Sequence, residues 1–312
     1  MKITAVIALL VVLGACSRER AAGQDRAREQ PPPPRTLRPI DWKQVDAALG
    51  KAGSVQPDGA YKVGLPRGDL HVTVAGVTVK PALALGSWVA LKQVTDTEAI
   101  LMGDLVLLES EVGPVVGKLQ DGGIEQTALH NHLQHESPRV MYMHIAGRGA
   151  PAKLAAAVHA ALALTKTPFG APPAPPPGGS LGVDTAQIAQ ILGYHGKVNG
   201  GVYQVGVPRA EQITADGVDV APSMGLATAI NIQPTGGGKA AITGDFVLIA
   251  SEVNPVIRAL RDNGIAITAL HSHMLSESPH LYFMHYWAND AALKLAHGLR
   301  AALDKMNVRK AS

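Results

Sequence analysis

Twice in this chain the same order of residue types recurs: a histidine, one residue, a second histidine, three residues, Glu-Ser-Pro, and a further histidine. The first run, HNHLQHESPRVMYMH, spans His130 to His144, and the second, HSHMLSESPHLYFMH, spans His271 to His285. Imidazole nitrogens bind zinc, copper, nickel, iron or manganese, and a carboxylate adds charge and hardness to such a set. His130, His132, Glu136 and His144 are therefore candidate ligands for a divalent transition metal in the first run, and His271, His273, Glu277 and His285 in the second. Three imidazoles and a carboxylate, with water in an open position, could polarise a carbonyl or activate water. Without a metal the same groups could act as a general base oriented by Glu, or form a hydrogen-bonded structural cluster. Eight of the twelve histidines fall in these two runs, which favours a site over isolated core histidines.

Successive residues of a strand face opposite sides, so His130 and His132 share a face, as do His271 and His273. A turn of three or five residues centred on Pro138 or Pro279 would set His132 opposite His144, and His273 opposite His285. Directly opposed Cβ atoms lie roughly 4.5–5.5 Å apart. Glu136 or Glu277, at the rim of that turn, would fold over as the fourth group. A two- or four-residue loop would break this register.

Other residues carry weaker signals. Ser137 and Ser278 stand near histidines, but no strand-to-helix elbow surrounds them. Glu111 and Glu252 fall in the first turn of a helix, where an acid suits the dipole. Asp104 and Asp245 follow glycine and read as turn residues, with a supporting role at the site as the alternative. Arg67 and Arg209 close matching Pro-Arg pairs and read as solvated turns, with anion binding as the alternative. Met143 and Met284 flank the last histidine of each run, but alternation turns them into the core. His71, His159, His195 and His297 have no counterpart in the other half.

The elements that must position these groups are themselves written twice. DWKQVDAALG (Asp41 to Gly50) matches DTAQIAQILG (Asp184 to Gly193), and YKVGLPR (Tyr61 to Arg67) matches YQVGVPR (Tyr203 to Arg209). GDLVLLESEVGPVVGKLQDGGI (Gly103 to Ile124) matches GDFVLIASEVNPVIRALRDNGI (Gly244 to Ile265). This is a duplication, with a period too long for a solenoid. In each copy Asp41 or Asp184 caps a short helix, a strand-rich stretch follows, and Ser110 or Ser251 caps a second helix. Two strands and a last helix complete a β-α-β-β-α core. The expected fold class is α+β: two homologous domains, each a β-sheet with helices on one face, packing with pseudo-twofold symmetry. The copies are expected at residues 38–165 and 181–308, joined by a Pro/Gly linker at 166–180.

The chain opens MKITAVIALLVVLGAC. One lysine precedes an apolar run too short to span a bilayer, which reads as a signal peptide over residues 1–15. Leu13-Gly14-Ala15-Cys16 resembles a bacterial lipobox, in which the cysteine carries the lipid, and Cys16 is the sole cysteine. Residues 16–37, charged and Pro-rich, read as a tether. The expected location is the cell envelope, lipid-anchored on the periplasmic face, with the outer membrane favoured in a Gram-negative organism. One cysteine excludes an internal disulfide and a cysteine-based zinc knot. A net charge of +3 without a basic run, and 4% aromatic residues, argue against a nucleic-acid partner. An apolar fraction of 46% is ample for two cores.

The His-x-His…Glu run is similar, over a few residues, to the first metal motif of cupins, but a helix precedes it here and the second cupin motif is not evident. A wider likeness is carried by the lipobox, the paired copies, and ALHNHLQHESPRVMYMHIAG with ALHSHMLSESPHLYFMHYWA. These resemble the LppY/LpqO lipoprotein family, built on domain of unknown function 1259. The resemblance implies a secreted or lipid-anchored bacterial protein and supplies no activity. The functional expectation is metal-dependent binding, with hydrolysis possible and a small molecule as the ligand. The alternative is a ligand-binding or scaffold lipoprotein without catalysis. The residues leave the metal's identity, the substrate and the oligomeric state open.

Overall fold

The computed structural model describes residues 37–170 and 181–310. The expected signal peptide, Cys16, residues 16–36 of the tether and residues 171–180 of the linker lie outside the described residues.

In copy one, α1 (Lys43–Leu49) buries Val45 and Leu49, four residues apart on one face, and stops at Gly50. The φ of +78° at Gly50 is left-handed backbone that favours a residue without Cβ. Strands β1 (Ser54–Val55) and β2 (Tyr61–Pro66) follow. The chain then leaves the main sheet as an arm: β3 (Val72–Val74), β4 (Val77–Val79) and the one-turn helix α2 (Pro81–Ala84). It returns through β5 (Gly86–Gln93) and β6 (Ala99–Leu108), then α3 (Glu109–Asp121) and β7 (Glu125–His130). The two-residue β8 (Glu136–Ser137) joins the arm, and β9 (Val140–Gly149) and α4 (Pro151–Leu162) close the copy. The sheet is antiparallel, in the order β1-β2-β5-β6-β9-β7, and β4-β3-β8 form a small second sheet.

Copy two repeats this plan: α5 (Thr185–Leu192), β10 (Lys197–Asn199), β11 (Val202–Pro208), then an arm of β12 (Thr214–Ala215), β13 (Val218–Asp219) and a 3-10 turn at Pro222–Met224. After it come β14 (Ala227–Gly236), β15 (Lys239–Leu248), α6 (Ala250–Asp262), β16 (Ala266–His271), β17 (Glu277–Ser278), β18 (Tyr282–Ala291) and α7 (Ala292–Leu303). Its sheet order, β10-β11-β14-β15-β18-β16, is that of copy one. The β-α-β-β-α core and the helices on one face of each sheet are as the sequence predicts.

Strand alternation gives each sheet two faces with different work. In copy one Val63, Leu65, Val89, Leu91, Leu105, Met143 and Ile145 point to one side and pack on α1, α3 and α4. The other side carries Lys62, Trp88, Asp104, Tyr142 and His144, and it meets the corresponding face of copy two. The two copies form one compact unit from Leu37 onward. Each arm fills a gap between the sheets. Leu70, Val72, Val79, Leu83 and Leu85 of the first arm pack with Tyr142 of their own copy and with Val202 and Ala241 of the other. Ile213, Val220, Met224 and Leu226 of the second arm pack with Phe283 and with Ala60 and Ala90 of copy one.

Two local expectations are corrected. Ser110 and Ser251 do not cap α3 and α6. Glu111 and Glu252 reach back instead and accept from the N–H of Leu108 (2.8 Å) and Ile249 (3.0 Å). Arg67 and Arg209 are not on solvated turns; their side chains are 0% and 1% exposed. Arg67 donates to Asp69, Glu111 and the Val106 carbonyl, and Arg209 to Glu211, Glu252 and the Val247 carbonyl. The rigid guanidinium fork satisfies both carboxylates and a strand carbonyl at once, and so fixes where each arm leaves its sheet.

Candidate functional site

A row of residues crosses each sheet beside the site. In copy one it reads Gly64, Trp88, Asp104, His144, Ala128, and in copy two Gly206, Ala229, Asp245, His285, Ala269. The register predicted from sequence is therefore shifted. His144 faces Ala128 rather than His132, and His130 faces Tyr142. The segment after His130 is not a tight hairpin: it swings out so that Glu136 and Ser137 pair with Val74 and Thr73 of the arm. A bulge between Gln126 and Ala128, repeated between Ile267 and Ala269, absorbs the remaining offset.

Even so, the six histidines of the two runs come together, in one cluster rather than two. His130 stacks on His271 with ring centroids 3.5 Å apart, His132 on His285 at 3.6 Å, and His144 on His273 at 3.5 Å. Every one of these pairs joins one copy to the other. The second histidine of each His-x-His is also backed by an aromatic ring of its own copy: Tyr142 lies 3.4 Å from His132, and Phe283 lies 3.4 Å from His273. The result is two parallel stacks, Tyr142–His132–His285 and Phe283–His273–His144, with the His130–His271 pair beside them. Among the described residues, two groups offer ligand atoms all within 4.8 Å of one another: His130, His132, His144 and His271, and His271, His273 and His285.

Glu136 and Glu277 join neither group. Glu136 accepts from the Asn131 side chain at 2.9 Å, while Glu277 accepts from the Leu281 N–H at 2.9 Å and faces His280 at 2.8 Å. Both carboxylates serve the excursion that displaced the register. The acids that do approach the histidines are Asp104, 3.9 Å from His144 Nε2, and Asp245, 3.7 Å from His273 Nε2 and 3.9 Å from His285 Nε2. A signal for them was present: each is an acid inside an otherwise apolar strand rather than in a turn. Lys62, Trp88, Tyr142 and Phe283 had no such signal, because alternation alone does not say which face of a doubly covered sheet holds a site.

A cavity of about 350 Å³ opens beside this cluster, lined in part by His132, His144, His273, His285, Asp104 and Asp245. Burial sets the charge states. It pushes His130 down to about 4, His285 to about 3 and His271 to about 2, with neighbouring histidines adding to the shift at His285 and His271. His132, His144 and His273 also fall well below the ordinary range, by burial and then by the other imidazoles. Burial raises Asp104 to about 8, with Lys62 opposing it, and raises Asp245 well above the carboxylate range. The imidazoles are thus neutral, with lone pairs available.

Ten buried side-chain nitrogen or oxygen atoms among the described residues lack a hydrogen-bond partner, and all but Glu277 Oε2 and Arg300 Nε belong to this cluster. They are Asp104 Oδ1, Asp245 Oδ1, both ring nitrogens of His130, Nδ1 of His271, and Nε2 of His132, His144 and His285. An orphaned buried polar atom costs roughly 1–3 kcal/mol, so the concentration calls for a partner that accepts electron pairs from several directions. A divalent transition metal does this, and imidazole with carboxylate is a donor set that suits one.

A family model described as Domain of Unknown Function (DUF1259) matches residues 43–164 and again residues 186–305. No curated protein matches the chain. Among solved structures it is similar to a trimeric bacterial microcompartment shell protein, PduB, at 11% identity over 83% of this chain and 96% of that one, with a TM-score of 0.20. It is also similar to EtuB from Clostridium kluyveri, at 9% identity over 81% of this chain and 91% of that one, with a TM-score of 0.20. At that score neither likeness bears on the site.

Proposed function

The chain belongs to the DUF1259 family, whose domain it carries twice, and from that premise we propose that it is a metal-dependent binding protein of the bacterial cell envelope. Histidines of the shared cluster would hold a divalent transition metal between the sheets, with one of the two aspartates that approach them, Asp104 or Asp245, as the carboxylate. The observation that carries this reading is the concentration of partnerless buried nitrogen and oxygen atoms in one cluster. The adjoining cavity gives a small molecule access to an open coordination position. There a metal would supply Lewis acidity, with hydrolysis as the reaction it would support. In this reading the Cys16 lipid tethers the folded part to the membrane. Among the described residues no helix is long and apolar enough to cross a membrane.

The test is elemental analysis of the mature protein, purified without a His tag and reconstituted in turn with zinc, manganese, iron, copper and nickel. Stoichiometric metal is expected. It should be lost in His132→Ala plus His273→Ala at unchanged circular dichroism. A wild-type protein that retains no metal above trace with any of these ions would sink the proposal.

A further inference from the structure

The cluster is nearly twofold symmetric, but the cavity wall is not. Lys62 in β2 and Gln204 in β11 occupy equivalent positions, as do Trp88 in β5 and Ala229 in β14. Each of Lys62 and Gln204 holds the other copy's arm: Lys62 Nζ donates to the Ser223 carbonyl at 2.8 Å, and Gln204 Nε2 to the Ala82 carbonyl at 2.8 Å. Gln204 shows that this grip needs no charge. The ammonium in copy one is therefore surplus to the grip. It lies 4.1 Å over the Trp88 ring, lines the cavity, and acts electrostatically on Asp104. An ammonium has three donors, so one bond to Ser223 leaves capacity for a ligand.

The acids differ in the same sense. Asp104 has a cation beside it and approaches one ring nitrogen; Asp245 approaches two. His285 Nδ1 lies 2.7 Å from the Gly244 carbonyl, which can only accept, so Nδ1 carries the proton and the Nε2 lone pair faces Asp245. His271 Nε2 and His273 Nε2 are 2.9 Å apart at the same end. Like charges repel strongly in a partly buried site, so a metal ion is disfavoured beside Lys62 and favoured beside Asp245.

We propose, building on the metal reading above, that the cavity is polarised. One divalent ion sits in the copy-two half on Asp245, His271, His273 and His285, and a small oxyanion bridges from that ion to Lys62 in the copy-one half. The ligand class is a small molecule bearing a carboxylate or phosphate. Its charge satisfies the ion and the ammonium together, and the flat face of Trp88 borders its seat.

The test is calorimetric titration of the full chain, first with zinc alone and then, zinc-loaded, with inorganic phosphate and with oxalate. Asp245→Asn should weaken zinc binding tenfold or more, and Asp104→Asn less than threefold. At least one oxyanion should bind the zinc-loaded protein. Lys62→Gln, which copies the neutral grip of Gln204, should weaken that binding tenfold at unchanged zinc content and unfolding midpoint, while Lys62→Arg should stay within threefold. The tighter of the two probes identifies the ligand's acidic group. Equal loss of zinc in the two aspartate variants, no binding of either probe, or unchanged oxyanion affinity in Lys62→Gln would overturn the polarised cavity. The first two of these outcomes leave metal binding itself intact, as does the third; only a wild-type protein that takes up no zinc removes both ideas.

Discussion

Copy one and copy two solve the same docking problem with different chemistry. The sheet of copy two grips the first arm through neutral amides: Gln204 to the Ala82 carbonyl, Asn231 to the Leu83 carbonyl, and Gln233 to the Thr78 carbonyl and the Lys80 N–H. The sheet of copy one grips the second arm through charges: Lys62 to the Ser223 carbonyl, Lys92 to the Asp219 carbonyl, and Asp58 to the Ser223 N–H and hydroxyl. The arginine anchor, the aspartate and the histidines are the same in both. The comparison separates what the architecture needs, which both copies have, from what only one half of the cavity has. Shared features should respond alike when perturbed, and unshared ones should not.

Acid should have the largest effect. In chelator-treated protein the histidines have folded pKa values below their ordinary value of 6.5. The unfolded chain therefore binds protons that the folded one refuses, and stability present above about 6.5 is lost as pH falls through about 4. Asp104 acts in the opposite sense: raised to about 8, its contribution declines as pH climbs toward that value. Urea midpoints measured across pH should peak near 6.5 and fall more steeply on the acid side. NMR titration should show His130 and His271, equivalent positions stacked on each other, both taking their protons well below the ordinary value of 6.5, because burial disfavours the imidazolium. An ordinary titration near 6.5 at either ring would break the equivalence of the two halves.

Next come the anchors. Arg67→Met and Arg209→Met each strand two buried or half-buried carboxylates, and each should cost about 3–5 kcal/mol in chemical denaturation. The two losses should be similar, with Arg209→Met the milder, because Glu211 and Glu252 stand where Asp69 and Glu111 do but also accept from Asn307. A large inequality would mean that the arms are not held equivalently.

Smaller and unequal effects are expected at the paired glycines that precede the aspartates. A Cβ on Gly244 would meet the Ala229 carbonyl oxygen at 1.9 Å, whereas on Gly103 the nearest atoms are the Trp88 oxygen and Val89 Cγ1, each at 2.9 Å. Both alanine variants should lose stability, by about 1–3 kcal/mol for ordinary overpacking, with Gly244→Ala the worse of the two by thermal unfolding. The smallest change is Tyr142→Phe, which gives copy one the residue found at Phe283. It removes the bond from the Tyr142 hydroxyl to the Ala84 carbonyl (2.8 Å) and should cost about 0.5–1.5 kcal/mol while the stack on His132 persists. A larger loss, or altered metal content, would show that the hydroxyl has a role beyond holding the arm.

Much of this was legible in the residues. The duplication is visible as matched strings, and the β-α-β-β-α order follows from apolar periods and from glycines such as Gly50 and Gly193. Alternation correctly turned Met143 and Met284 into the helix-side core. The register failed because Pro138 and Pro279 resemble hairpin centres, whereas their flanking residues pair with an arm more than sixty positions earlier. The same arm explains Arg67: a Pro-Arg at a strand end reads as a solvated turn until a helix N-terminus is seen to cover it.

By itself the sequence determined the twin sheets, their two faces and the set of histidines, because these depend on local periodicity and on matches along the chain. Only the tertiary structure decided that the histidines form one cluster shared by both copies, that Asp104 and Asp245 rather than Glu136 and Glu277 approach them, and that one wall carries a cation. The shared cluster depends on contacts such as His130 with His271, which exist only once one sheet is laid over the other, and the approach of the aspartates depends on the cross-strand register that sets Asp104 beside His144 and Asp245 beside His285.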